Sequence, residues 1–292
     1  MIEWRYGDQL AWHLVLIGLS EDVSRYAARG YTPGRAALSQ LHFRDRYGMP
    51  FSTAPKRGLS ASSRACRAVI AARLEWPGSE WRVFRALQFA NFNDGLLFDD
   101  DDQLRAVLAR VPGLDAERIV AAIDAPAVLE AYAADKAQTR TAAGSATELQ
   151  GKAANSDGAV RYTAPSVVFE APDGRRLEAG GFQPVEAYDV VIANLDPTLT
   201  RRPAPEDPAD LLSHFEMGLT TQEVAALLTG GNDAVDRPAA ERALLELVAD
   251  GRATREPLGG DALWRAAAPG ANGSGATDRQ SIASLSGSAS RP

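Results

Sequence analysis

The chain holds a single cysteine, Cys66, among its 292 residues. One thiol cannot close an intrachain disulfide, and it cannot build a Cys-rich zinc site. Histidine is scarce too: His13, His42 and His214 stand far apart and show no metal-ligand spacing. Basic charge is in deficit, with a formal net charge of −7. An acidic surface disfavours non-specific binding to nucleic acid or to an anionic membrane. No apolar run reaches the roughly 18 to 20 residues that span a bilayer. Met1-Ile2-Glu3-Trp4-Arg5-Tyr6 lacks the basic-then-apolar order of a secretory signal. The expectation is a cytoplasmic protein with no bound metal and with neither nucleic acid nor membrane as partner.

What is present is the composition of a globular protein, 45% apolar and 24% charged. The length allows one large domain or two smaller ones. Ile2 to Tyr6 reads as the last turn of a helix stopped by Gly7. Residues 10–19 are strongly apolar and predict a strand, with His13 as an ordinary strand histidine. Residues 20–48 read as helical, with Tyr26, Leu38, Leu41, Phe43 and Tyr47 as core candidates. A Pro/Gly/Ser loop follows over 49–60. From 62 to about 140 the pattern is helical throughout: 63–74, 79–92, 103–110, a helix capped by Asp115, and 125–140. The Asp99–Asp102 run lacks the glycine and distal glutamate of an EF-hand loop, so it reads as a solvated helix start.

Residues 141–161 are polar and turn-rich. Then comes Tyr162-Thr163-Ala164-Pro165-Ser166-Val167-Val168-Phe169, a β-branched and aromatic run with a proline at its mouth. Pro172-Asp173-Gly174 turns the chain back toward Leu177-Glu178-Ala179-Gly180-Gly181, giving a hairpin over 162–180. Proline cannot donate to a ladder, so at the head of such a strand it needs a special position, a cis X-Pro bond being one. Pro184 starts a helix that runs to Leu195. Prolines 203, 205 and 208 mark a linker.

Beyond the linker, helices over 210–215, from 221, and over 238–249 precede a short hairpin, an order that resembles a winged helix. Thr220 and Glu223 form a capping box there. Between residues 206 and 265, twelve acidic residues face five basic ones, which points to packing or dimerisation rather than DNA binding. From about 269 the Gly/Ser/Ala-rich sequence predicts disorder.

The order strand, helix, all-helical insertion, Pro-initiated hairpin, final helix resembles the DsbA-like branch of the thioredoxin superfamily. That branch also includes relatives of 2-hydroxychromene-2-carboxylate isomerase and of kappa-class glutathione transferase. Within it the chain is most similar to actinobacterial DsbA-family proteins of the dithiol-disulfide isomerase type, in which a segment like Gln150-Gly151-Lys152-Ala153-Ala154-Asn155 precedes the hairpin.

The resemblance implies an α/β chain with a discontinuous thioredoxin-like domain (1–61 and 141–200). A helical insertion (62–140), a linker (201–208), a winged-helix-like module (209–268) and a disordered tail (269–292) complete it. It implies a sheet joining residues 14–17 to 166–169 and a cis Ala164-Pro165 bond. It also makes Thr163, Ala164 and Pro165 the substrate-binding residues.

The activity implied is thiol–disulfide oxidoreduction or isomerisation on a thiol- or disulfide-containing substrate. Glutathione is the one cofactor the resemblance allows, and a homodimer is compatible with it. The family's first strand and Cys-x-x-Cys motif have no counterpart from Met1 onward; the expected position lies before Met1, and the usual chemistry is absent from the chain as written. Two alternatives stand beside this reading: a non-enzymatic interaction or regulatory module, and a glutathione-dependent isomerase.

Cys66 has two readings. Flanking Arg64 and Arg67 would favour a reactive thiolate. Its helical spacing to Val69 and Ile70 would instead bury it as a small apolar residue.

Overall fold

The computed structural model describes residues 1–268, so the disorder expected from residue 269 lies outside the described residues. Local signals set most helix ends. α1 (Ile2–Tyr6) stops at Gly7, whose φ of 51° few other residues tolerate. α2 (Ser24–Ala28) and α3 (Pro33–Tyr47) divide the expected helix over 20–48. Pro33 breaks continuity, and the Thr32 side chain caps α3 by accepting from the Arg35 N–H. α4 (Ser63–Glu75) and α5 (Glu80–Phe89) follow, and a π-helical turn over Ala90–Asp94 ends the latter.

Asp100 and Asp115 then cap α6 (Asp101–Leu108) and α7 (Ala116–Ala122) with their carboxylates. α8 (Pro126–Thr139) carries proline in its first turn, where a missing N–H costs nothing.

α4 is the axis of the helical body. Ala68, Val69, Ile70, Ala71 and Ala72 are all 1% exposed or less, so nearly its whole circumference is covered. Val83 of α5, Leu104 and Leu108 of α6 and Ile119 and Ile123 beside α7 fill the same core. Each such side chain contributes about 1.5–3 kcal/mol on burial. The α3 core candidates fare differently. Leu38 is 66% exposed and Phe43 40%, while the buried positions of α3 are Ala37 and Gln40.

A short helix α9 (Ala146–Leu149) and a hairpin of β1 (Ala153–Asn155) and β2 (Val160–Tyr162) occupy the polar, turn-rich region of 141–161, where the sequence had signalled neither. β3 (Ser166–Glu170) and β4 (Arg176–Gly180) form the second hairpin, as its turn residues predict. Gly174 takes φ 85° and donates to the Ala171 carbonyl at 2.9 Å, closing the turn. α10 (Val185–Leu195) packs on this hairpin through Ile192 and Leu195 against Phe169 and Ala179, with Tyr6 of α1 in the same cluster.

The C-terminal unit contains α11 (Pro208–His214), β5 (Leu219–Thr220), α12 (Thr221–Thr229), α13 (Arg237–Ala249), β6 (Ala253–Leu258) and β7 (Asp261–Ala266). The sheet order is β5-β7-β6. The Thr220–Glu223 capping box is formed. Trp264 is fully buried and donates from its indole N–H to Thr221 Oγ1 at 2.9 Å.

Residues 10–19 are not a strand; the segment is irregular. A strand needs a ladder partner, and the described residues form only three separate sheets, β1-β2, β3-β4 and β5-β7-β6. The expected sheet joining 14–17 to 166–169 is therefore not formed. Instead the Leu16 N–H is satisfied by the Asp135 carboxylate at 2.9 Å. His13 lies exposed on this segment rather than on a strand.

The Pro-rich linker is held down as well. The Arg202 N–H donates to the Arg5 carbonyl at 2.7 Å, and the Trp4 indole N–H donates to the Pro203 carbonyl at 2.8 Å. Trp4 sits in the core of the C-terminal unit with Leu211, Leu244 and Trp264. Mixed helices and small sheets agree with an α/β chain.

Candidate functional site

The site begins at the end of β2. Thr163 turns its hydroxyl onto the Lys152 carbonyl at 2.8 Å, fixing the strand exit. Ala164 and Pro165 follow at the surface, joined by the cis bond that the family resemblance implies. Ser166 then opens β3, and its Oγ accepts from the Gly181 N–H at 3.1 Å. This ties the head of β3 to the glycine turn. Gly181 has φ 66°, and a Cβ on Gly180 would meet Thr147 within 2.2 Å, so glycine is required at both.

β3 is paired on one side only among the described residues. The Ala171 N–H donates to Arg175 O at 2.9 Å, which makes that couple a hydrogen-bonded pair. Alternation along an antiparallel ladder then directs Phe169 and Val167 toward β4. The N–H and C=O of Ser166 and Val168 point the other way, to an edge without a backbone partner. Across the two faces of the sheet, Phe169 is buried and Val168 is 37% exposed.

A row of aromatic rings runs out from the glycine turn at the head of β3. Phe182, 60% exposed, stacks on Tyr47 with centroids 5.3 Å apart. Tyr47 stacks on Phe43, which meets Phe51, which meets Phe92. The Lys152 ammonium donates to the Phe182 carbonyl at 3.2 Å. Phe182, Lys152 and Ser166 join this site, although the sequence placed only Thr163, Ala164 and Pro165 in it. Their role depends on contacts between distant segments.

Cys66 sits elsewhere, against the core of the helical body. Burial pushes its thiol up to about 12; Glu21 and Asp135 add to the rise, and a backbone hydrogen bond from Gly18 opposes it. Tyr132 is likewise raised, by burial first and then by its acidic surroundings.

Three acids of the Asp99–Asp102 run are engaged by neighbours. Asp100 caps α6 and pairs with Arg57, Asp101 pairs with Arg64, and Asp102 with Arg105. Among the described residues no group of three or more His, Cys, Asp or Glu could hold a metal ion. Nor is any helix among them long and apolar enough to cross a membrane.

No curated protein matches the chain. Residues 36–144, from within α3 through α8 to just before α9, match the family model of the DSBA-like thioredoxin domain. Over that stretch the chain is similar to the DsbA-like thioredoxin-fold family, as the order of its elements had indicated.

Proposed function

We propose that this protein binds an extended thiol- or disulfide-containing polypeptide along the free edge of β3, beside Thr163, Ala164 and Pro165. The likeness to the DSBA-like thioredoxin domain supports a scaffold of the thiol–disulfide oxidoreductase and isomerase type. The observation that carries the reading is the unpaired backbone of Ser166 and Val168, with an exposed aromatic, Phe182, just beyond the glycine turn that Ser166 holds. An open edge of this kind takes an added strand by main-chain hydrogen bonds, while neighbouring side chains select what is added.

Cys66 takes no part in exchange, because a protonated and packed thiol is a poor nucleophile. The binding function is thus separable from thiol chemistry within this chain. The C-terminal unit is read as an acidic packing module resembling a winged helix.

Val168→Pro tests the edge. Proline removes the outward N–H but leaves the bonds to β4, and an edge strand tolerates it. Binding is measured by fluorescence anisotropy with a fluorescein-labelled extended peptide that carries one disulfide-blocked cysteine. Saturable binding is expected, weakened roughly ten-fold by Val168→Pro through loss of one hydrogen bond. The circular dichroism spectrum should be unchanged. Equal affinity in the two proteins, or no saturable binding to the unaltered one, would overturn the reading.

A further inference from the structure

Charge around the β1–β2 hairpin does not balance. Arg161 on β2 is only 9% exposed. Its Nε donates to Ser156 Oγ, and its Nη1 donates to the Tyr162 carbonyl at 2.9 Å. Both acceptors are neutral. Among the described residues Nη2 has no hydrogen-bond partner, and no carboxylate lies within ion-pair distance of the guanidinium. Nη2 is not sealed from solvent either, unlike the orphaned nitrogens of Arg67 and Arg73.

Asp157, the carboxylate whose charge reaches Arg161, is already committed. Asp157 takes Nε and Nη2 of Arg140 at 3.2 and 2.6 Å. Arg140 spends its remaining donors on the Ile17, Gly18 and Lys136 carbonyls and on the Thr139 hydroxyl, locking the hairpin to the end of the 10–19 segment. Lys136 pairs with Glu21. Arg25 on α2 has no ion-pair partner among the described residues, yet its charge is felt at both Asp157 and Arg161. Asp22 is the other acid nearby, and its carboxylate is taken by Ser24.

A buried guanidinium without a counter-charge is expensive unless an anion supplies one. Burial accordingly pulls Arg161 below its ordinary range; Arg140 and Arg25 push the same way, and Asp157 opposes them. Arg161 also stands two residues before Thr163, at the approach to the β3 edge.

We propose that Arg161, assisted by Arg25, forms a subsite for an oxyanion, a carboxylate or phosphate group, next to the polypeptide-binding edge. The free Nη2 would donate a charge-assisted hydrogen bond to one oxygen, and Arg25 would add long-range attraction. Resting on the function proposed above, the subsite makes the preferred polypeptide one with an acidic or phosphorylated residue close to its cysteine.

The test begins with the full chain and small anions. Thermal unfolding is followed against inorganic phosphate and against acetate, with chloride holding ionic strength constant. A saturable stabilisation beyond chloride is expected from at least one of the two. Arg161→Met should weaken the apparent affinity roughly ten-fold, and Arg25→Met should weaken it less. No saturable effect on the unaltered protein, or the same effect in Arg161→Met, would overturn the subsite. If Arg161→Met does not fold, Arg161→Lys takes its place: the charge is kept and the fork is lost, and unchanged affinity there together with unchanged affinity in Arg25→Met would overturn it.

A second arm compares labelled peptides with Glu or Gln beside the blocked cysteine. Tighter binding of the Glu peptide assigns the anion to the polypeptide. Equal affinity alongside phosphate binding assigns it to a free small anion and overturns the acidic-peptide preference. Phosphate binding without any peptide binding would sink the function proposed above while leaving the subsite standing.

Discussion

In the folded protein, Cys66 is expected to react with a small disulfide reagent at pH 8 about 10²-fold more slowly than in guanidinium chloride. An unperturbed thiol ionises near 8.5, so about a quarter of it is thiolate at pH 8. The folded thiol is pushed up to about 12, leaving about one part in 10⁴. The loss of thiolate outweighs the greater nucleophilicity of the more basic thiolate that remains, before any steric protection. The folded rate should rise about ten-fold per pH unit up to about pH 11, a slope that simple occlusion would not give.

Linkage works in the same direction. The folded pKa lies above the unfolded one, so the stabilising contribution is complete below about pH 8.5. It is lost as pH rises toward 12, because the unfolded chain then binds fewer protons. Cys66→Ala should flatten that alkaline decline. The same burial predicts no insulin reduction driven by dithiothreitol. Turnover abolished by Cys66→Ser would make this thiol a nucleophile and refute the account.

Arg5→Met should lower the free energy of unfolding by about 3 kcal/mol in chemical denaturation, the low end of what removing one partner of a buried pair costs. Arg5 and Asp189 are each 9% exposed and share an ion pair. Arg5 also donates to the Gly230 carbonyl at the C-cap of α12, while Tyr6 donates to Asp189 at 3.0 Å. One guanidinium thereby joins α1, α10 and the C-terminal unit. Removing it strands Asp189 with Tyr6 and the more exposed Arg201, 3.0 Å away. Against a total of roughly 5–15 kcal/mol this is a large fraction. Adding Asp189→Asn to Arg5→Met should recover part of the loss, since the penalty comes from a buried charge left with only the exposed Arg201 as its counter-charge. A loss below 1 kcal/mol would contradict this description of the junction.

These effects differ in how far they could be read from sequence, and the difference is one of range. Asp115 and the Thr220–Glu223 box act within one helical turn, so residue type and spacing were enough. The Pro172-Asp173-Gly174 turn and the cis Ala164-Pro165 bond lie within a few residues of their cause or are carried by the family resemblance. Residues 10–19 were misread because apolar composition reports burial, whereas a strand also needs a neighbour.

Leu38 and Phe43 were misplaced into a core because α3 packs by its small side of Ala37 and Gln40. β1 escaped notice because Ala153-Ala154-Asn155 has no alternation to see. Trp4 joining the C-terminal core, and Arg161 lacking a counter-charge, depend on segments far apart in the chain. The β3 edge was half legible: its residues were named, but which amides face outward follows only from the Ala171–Arg175 bond.

Amide hydrogen exchange, resolved by residue with and without saturating disulfide-blocked peptide, examines that edge most directly. Val167 and Phe169 should be protected in both states, and Ser166 and Val168 should exchange fast in the free protein and slow markedly with peptide bound. If Ser166 and Val168 are already slow in the free protein, or their rates do not change on adding peptide, β3 is not the docking strand.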